Sequence, residues 1–540
     1  MKLIDDAKMY ARFAFGLHRF LKKRMTLEEA RAVISNNLVN REENFLSVVK
    51  KGVFGHEGSP YLPLLKWAGA EYGDIEKAVR QEGLTAALRK LRDEGVCITF
   101  EEFKGRDIIR RGGNEFPLGP QGFDNPYLKS CYVGESGGST GAGTRVSHDL
   151  EHRGARIPLQ LVSQHIQGTF GLPRAIWRCL LPSAVGVNDI ITSGVTGNPP
   201  RKWFTPMLGD DLRPSLKYSL ANAYILNVCR LHGVKVPRPE RVPLDRADII
   251  VRWMEKVLRE EGQVLVSGGV SLSLRIAVAA NEMGVDLTGA TLSGGGEPPT
   301  ETKVAIITGT GARFLTSYHF SEVGAVGLPC QNPVDCNDHH LIVDHLEVLQ
   351  YPRKVPGTDV TVDAFNVTTL LPTAPKIMIN VEIDDYGTIE NRNCGCEWEQ
   401  MGFIKHVRDI RSFRKLTGEG MTLIGSDMER ILDQVLPEKY GGSAQDYQLL
   451  EEEVEGGFTR RSIIVSPRVI LGDESAVIRT VLEELGRGDA AADLARAFLS
   501  QGKSLGVKRM DPIWTDRGKL MPLHMIRQSC AGKSGKVVKE

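Results

Sequence analysis

Between residues 246 and 318 the chain alternates helical with strand periodicity. Apolar residues at three- and four-residue spacing predict helices at about 246–261, 271–283 and 300–308, and the runs GATLSGG and RFLTSY predict strands among them. That succession implies an α/β architecture, a sheet covered by helices. Residues 1–110 read differently: segments such as 27–38 and 74–95 have helical spacing and form a helical entry to the large domain. After residue 409 the pattern starts again, with a strand at 461–467, helices at 474–486 and 488–501 and a strand at 504–510. The expectation is a large multi-layer N-terminal domain with a helical N-terminal extension (1–110) and an α/β core (111–408), plus a small mobile α+β C-terminal domain (409–540). A length of 540 residues suits such a division, being too long for one ordinary domain.

A formal net charge of +1 gives no general field for a polyanion, so nucleic acid is excluded as an expected partner. The N-terminus is broken by Lys2, Asp5, Asp6 and Lys8, unlike a secretory signal, and no apolar run reaches the roughly eighteen residues of a transmembrane segment. The expected location is cytoplasmic. Residues 7–24 interleave Phe13, Phe15, Leu17, Phe20 and Leu21 with basic residues, a pattern that suits a helix docked on its own domain or one making peripheral contact with a membrane surface. Nine cysteines, an odd number, do not suggest a disulfide framework. Cys97, Cys131, Cys179, Cys229 and Cys530 are scattered, whereas Cys330, Cys336, Cys394 and Cys396 cluster.

The segment Glu135-Ser-Gly-Gly-Ser-Thr-Gly-Ala-Gly-Thr-Arg145 is dense in glycine and hydroxyls. Without Cβ atoms in the way, backbone N–H groups and hydroxyls can converge on phosphate oxygens, so the loop is a candidate nucleotide clamp. It is no Walker loop, because the required lysine is absent, and nothing matches the protein-kinase signatures.

Ser136, Gly137, Gly138, Ser139, Thr140 and Gly141 resemble the phosphate loop of the adenylate-forming superfamily of acyl-CoA synthetases, with Ala142 where that loop usually has lysine. Further motifs follow in the order that family has them. Gly294-Gly-Gly-Glu-Pro-Pro299 resembles the turn beside adenine and ribose, implying roles for Gly295, Gly296, Glu297 and Pro298. Thr316-Ser-Tyr-His-Phe-Ser-Glu322 resembles the segment whose aromatic packs on adenine, whose hydroxyl meets phosphate and whose glutamate holds magnesium; Tyr318, Ser321 and Glu322 fill those places. A carboxylate there suits Mg²⁺, which takes hard oxygen ligands and few of them from protein. The stretch 375–387 resembles the family's ribose-binding segment, which selects Asp385, with Asn380 at a position often occupied by arginine. Arg408 resembles the arginine before the hinge, with Val407 where a glycine is usual, and Lys519 in Trp514-Thr-Asp-Arg-Gly-Lys-Leu520 resembles the catalytic lysine of the C-terminal domain. The resemblance runs from about 110 to 527, with the phenylacetate-CoA ligase-like branch as its nearest type; Asn40–Asn44 and Glu101–Gly105 are similar too.

Cys330, Cys336, His339, His340, Cys394 and Cys396 are soft donors of the kind that make tetrahedral zinc sites, and Gly395 permits the turn that aims two sulfurs at one ion. Some phenylacetate-CoA ligase-like proteins are similar here, implying a structural Zn²⁺ on Cys330, His340, Cys394 and Cys396, with Cys336 as the alternative to Cys330.

The resemblance implies a ligase that uses ATP and Mg²⁺ to convert an aryl or fatty acid into an acyl-adenylate, releasing pyrophosphate. It then transfers the acyl group to a thiol, with CoA the expected acceptor. Transfer to an acyl carrier protein or a protein cysteine, and a degenerate nucleotide-binding scaffold without activity, are the alternatives.

Overall fold

The computed structural model describes residues 2–105, 107–116, 120–128, 131–135, 145–181, 183–207, 216–296, 299, 301–320, 322–354, 361–412, 417–418, 421–422, 428, 430–443, 446–453, 459–485, 499–500, 505–513 and 523–526.

The first hundred residues are helical, and their ends are set by local chemistry. Thr26 caps Leu27–Val39 by a reciprocal box: its hydroxyl accepts from Glu29 N at 3.2 Å while the Glu29 carboxylate accepts from Thr26 N at 2.8 Å. The same box, made by Thr99 and Glu102, starts the short helix Phe100–Phe103, and Arg111 pins Glu102 at 2.7 Å. The single helix expected at 74–95 is two, Tyr72–Glu82 and Leu84–Asp93. Gly83 at φ +83° separates them, a backbone conformation open to glycine at no steric cost.

Twelve strands form one sheet. From one edge the order is Pro239–Arg241, Lys202–Thr205, Arg174–Trp177, Val264–Ser267, Ala290–Gly295 and Arg313–Phe320, all parallel to their neighbours. It continues antiparallel through Gly324–Pro329, His339–Leu341, Lys405–Ser412, Val381–Asn391, Thr361–Thr369 and Leu346–Lys354. Arg174–Trp177 and Val264–Ser267 are buried along their whole length, as strands covered on both faces should be. The helices Asp248–Glu261, Val270–Met283 and Glu301–Thr308 and the strands Ala290–Gly295 and Arg313–Phe320 lie close to the sequence expectation.

Arg313–Phe320 is the junction. It runs parallel to one neighbour and antiparallel to the other, and its register slips between Tyr318 and His319. The N-terminal helices cover the antiparallel half: Phe45, Leu64, Ile75 and Leu88 share a buried cluster with Val348, Phe365, Val381 and Val407. Asn380 sews these layers together, with φ +49° and its amide donating to Leu88 O at 2.8 Å and Val96 O at 3.3 Å. Asparagine tolerates that left-handed backbone better than most residues, which explains a short amide at this position. Helix Lys2–Leu21 docks on the domain, burying Phe13, Leu17, Phe20 and Leu21 in a cluster with Ile176, Trp203 and Ile225 while Phe15 stays exposed. No helix among the described residues is long and apolar enough to cross a membrane.

A smaller four-stranded sheet follows, in the order Leu505–Arg509, Thr459–Val465, Tyr447–Glu453 and Leu523–Ile526, with the helix Glu474–Leu485 after its second strand in sequence. Within the helix expected at 488–501, residues 488–498 lie outside the described residues. Strand Lys405–Ser412 passes through the expected domain boundary, where Asp409 takes φ +52°; Asn380 is the other non-glycine at positive φ among the described residues.

Candidate functional site

The strand junction brings together three of the side chains singled out in the sequence. The Tyr318 hydroxyl donates to Asp385 Oδ2 at 2.7 Å. Burial, then the adjacent Asp385 charge, push the Tyr318 phenol well above its ordinary value, and Glu322 adds to the same shift. Glu322 is 9% exposed, and its Oε1 accepts from Lys104 Nζ at 2.7 Å. Lys104 stands at the C-terminal end of the helix Phe100–Phe103, with its ammonium 5.7 Å from the centres of the Phe100 and Phe103 rings. An aromatic hydroxyl, two carboxylates and an ammonium thus converge from three distant segments.

Close approach of two strands supports this arrangement. A Cβ at Gly387 would lie 2.7 Å from Arg408 O and 3.1 Å from the Phe365 ring, so only glycine lets Val381–Asn391 lie this near its neighbour two residues beyond Asp385. Gly295 ends its strand beside Ser317, whose carbonyl a Cβ would approach to 3.1 Å, and Gly296 turns the chain at φ +88°. Arg408 is engaged by acids of its own neighbourhood: Nε donates to Glu390 Oε1 at 3.0 Å and Nη1 to Asp409 Oδ2 at 2.9 Å. Ser136, Gly137, Gly138, Ser139, Thr140, Gly141, Glu297, Pro298, Ser321 and Lys519 lie outside the described residues. The strands Cys131–Glu135 and Arg145–Asp149, either side of residues 136–144, pair antiparallel.

A second cluster lies around His340. Its Nδ1 is 2.7 Å from Phe403 O, which accepts the ring N–H and turns Nε2 toward sulfur: Cys396 Sγ is 3.1 Å away and Cys394 Sγ 3.6 Å. Cys330 and Cys396 are buried, and Gly395 makes its turn at φ +74°. The Cys330 thiol donates to Cys396, which holds Cys396 far below the ordinary thiol value and pushes Cys330 upward. His406 joins them, its ring centre 4.0 Å from that of His340. Donor atoms of Cys330, His340, Cys394 and His406 all lie within 4.8 Å of one another. His406 Nδ1 sits 2.6 Å from Asp338 Oδ1, while its Nε2 is buried without a hydrogen-bond partner. Cys336 stands apart, with Sγ 3.8 Å from Pro299 O, and burial pushes its thiol up to about 11. Sulfur and imidazole donors, an orphaned ring nitrogen and a carboxylate behind one histidine fit a tetrahedral soft-metal site such as zinc.

Three residues of these clusters escaped the sequence reading. Lys104 lies in a segment already noted as similar, but nothing local ties it to Glu322. His406 sits between Lys405 and Val407 in a strand, where nothing local marks it as a ligand, and Asp338 carries no spacing signal.

No family model matches the chain, and no curated protein matches it. Among solved structures, an AMP-forming acyl-CoA synthetase/AMP-acid ligase II-like protein from Dyadobacter fermentans is 11% identical over 72% of this chain and 87% of its own, with a TM-score of 0.30. An anthranilate CoA ligase in complex with anthranoyl-AMP is 10% identical over 72% and 66%, with a TM-score of 0.34. An acyl-CoA synthetase from Brucella canis is 12% identical over 73% and 63%, with a TM-score of 0.30. The chain therefore spans less than two thirds of the length of the last two. Likeness at these TM-scores carries no weight for family or activity.

Proposed function

We propose that the protein is an adenylate-forming ligase, which activates an aryl or fatty acid with ATP as an acyl-adenylate and passes the acyl group to a thiol, CoA first among them. The observation that carries this reading is the convergence of Tyr318, Asp385 and Glu322, drawn from segments that the motif resemblance had assigned to adenine, ribose and metal.

In this reading Tyr318 packs on the adenine and holds Asp385 in orientation, leaving the carboxylate to accept from ribose hydroxyls. Glu322 offers a hard oxygen to Mg²⁺, which when bound offsets charge on the phosphate oxygens. Lys104 balances Glu322 until then. The loop from Ser136 to Gly141 cradles phosphates through its N–H groups, Glu297 and Pro298 shape the nucleotide turn, and Ser321 offers a hydroxyl to phosphate. The substrate carboxylate attacks the α-phosphorus, pyrophosphate leaves, and the ammonium of Lys519 stabilises the developing charge. The C-terminal domain, from 409 onward, then turns about the Arg408–Asp409 step to admit the thiol, and the positive φ of Asp409 supports a hinge there. Donors among Cys330, His340, Cys394, Cys396 and His406 would hold zinc, which would tie the strands Gly324–Pro329, His339–Leu341 and Lys405–Ser412 together.

A pyrophosphate-release screen over aryl and aliphatic acids tests the proposal. Acid-dependent release is expected, followed by release of AMP when CoA is added. No release with any acid would defeat it, and AMP release with carrier protein alone would redirect the acyl acceptor.

A further inference from the structure

Helix Leu150–Ile166 starts directly after the strand Arg145–Asp149, and Asp149 caps it, with Oδ1 accepting from Glu151 N at 2.7 Å and His152 N at 3.3 Å. The cap sets the rotation of the first turns, which carry Arg153 and Arg156. The Arg156 guanidinium lies directly against Gly324, where an added Cβ would collide with Nη1, Cζ and Nε. Gly324 comes two residues after Glu322 and pairs in register with Phe320. A cation on a different helix is thereby brought to the turn that carries the candidate metal carboxylate.

Arg156 makes no hydrogen bond or ion pair among the described residues. Three other sheltered arginines have acids: Arg174 has Asp189 at 2.8 Å, Arg111 has Glu102 at 2.7 Å, and Arg461 has Glu451 at 3.2 Å. Burial, then the nearby Arg153, lower the Arg156 guanidinium to about 10. His319 stands in the same positive surroundings; burial, then Arg156, bring its imidazole down to about 3. A cation sheltered from bulk water without a counter-ion is costly, and the cost disappears when an anion arrives.

We infer that Arg156 is the seat of a substrate oxyanion, either the carboxylate of the acid or a phosphate of ATP, beside the turn that follows Glu322. The inference rests on the ligase reading. A guanidinium fork suits both anions, since each presents paired oxygens to parallel N–H donors. In the activation step the carboxylate oxygen bonds to the α-phosphorus as the bond to pyrophosphate breaks, its electron pair leaving with pyrophosphate. Two anions must meet for this, and Arg156 offsets their repulsion without forming a bond itself.

The test uses the full-length protein with Arg156→Gln and Arg156→Lys, following pyrophosphate release while ATP and the acid selected by the screen are varied separately. Arg156→Gln is expected to raise the KM of one substrate about tenfold or more, the size of a lost charge-assisted hydrogen bond, with Arg156→Lys recovering part of it. A rise for the acid assigns the carboxylate, and a rise for ATP assigns the phosphate; either upholds the inference. Unchanged KM for both substrates in Arg156→Gln overturns it, as does an equal loss of kcat in both variants without a change in KM, the mark of a structural role. Should Arg156→Gln melt early, the charge-retaining Arg156→Lys decides alone: a selective rise in one KM upholds the seat, and wild-type KM values for both overturn it. A wild-type protein that activates no acid would sink the ligase reading, and this inference with it.

Discussion

The Tyr318 hydroxyl donates to Asp385 at 2.7 Å although the two are 67 positions apart in sequence. The contact crosses the sheet from the parallel–antiparallel junction to a strand four places away in the sheet order. It fixes the orientation of the Asp385 carboxylate through Oδ2. Asp385→Asn is therefore expected to raise the KM for ATP about tenfold, because hydrogen bonds to a charged acceptor are replaced by weaker ones. Tyr318→Phe keeps the ring and loses only the orienting bond, so a rise of about threefold is expected. Equal effects in pyrophosphate-release assays would contradict this ordering.

The Lys104–Glu322 pair is mostly buried, with side chains 17% and 10% exposed. Removing Lys104 takes the nearest cation from a carboxylate in a poorly hydrated place, so Lys104→Ala should cost about 3 kcal/mol in metal-free buffer. Mg²⁺ with ATP should restore more stability to the variant than it adds to wild type, because Glu322 then regains a cation. Denaturant titrations with and without Mg²⁺ and ATP provide the check.

Lys519→Ala should lower acyl-adenylate formation about a hundredfold or more while ATP affinity stays within about twofold, since the ammonium serves charge that develops in the transition state. Single-turnover formation of acyl-adenylate, set beside ATP binding, separates the two. Equal turnover in the variant would remove Lys519 from the chemistry.

Metal analysis of the purified protein should find zinc. Cys394→Ser and His406→Ala should each lose it and melt at lower temperature, and a chelator should lower the melting temperature of wild type while leaving that of Cys394→Ser unchanged. Wild-type protein free of zinc, with a melting temperature indifferent to chelator, would dismiss the site.

Much of the candidate site can be read along the chain because its parts are local. Tyr318 and Glu322 are separated by three residues, Cys394 and Cys396 by one, and the helices and strands of 246–318 announce themselves by periodicity. The antiparallel half of the sheet escaped, since His339–Leu341 is three residues long and buried throughout, with no alternation to read. The break at Gly83 was also missed, because apolar spacing continues across it and only the backbone angle ends the helix.

Which residue types are present, and which neighbours share a turn of helix or one face of a strand, follow from composition and period alone; so do the ordering of the motifs and the α/β character. Partners are another matter. Lys104 reaches Glu322 across 218 residues, His406 reaches Asp338 across 68, and Arg156 arrives at Gly324 from a separate helix. These pairings depend on sheet register and on how helices lie over it, and both are settled by burying the whole core at once, since no local segment carries the energy to choose them.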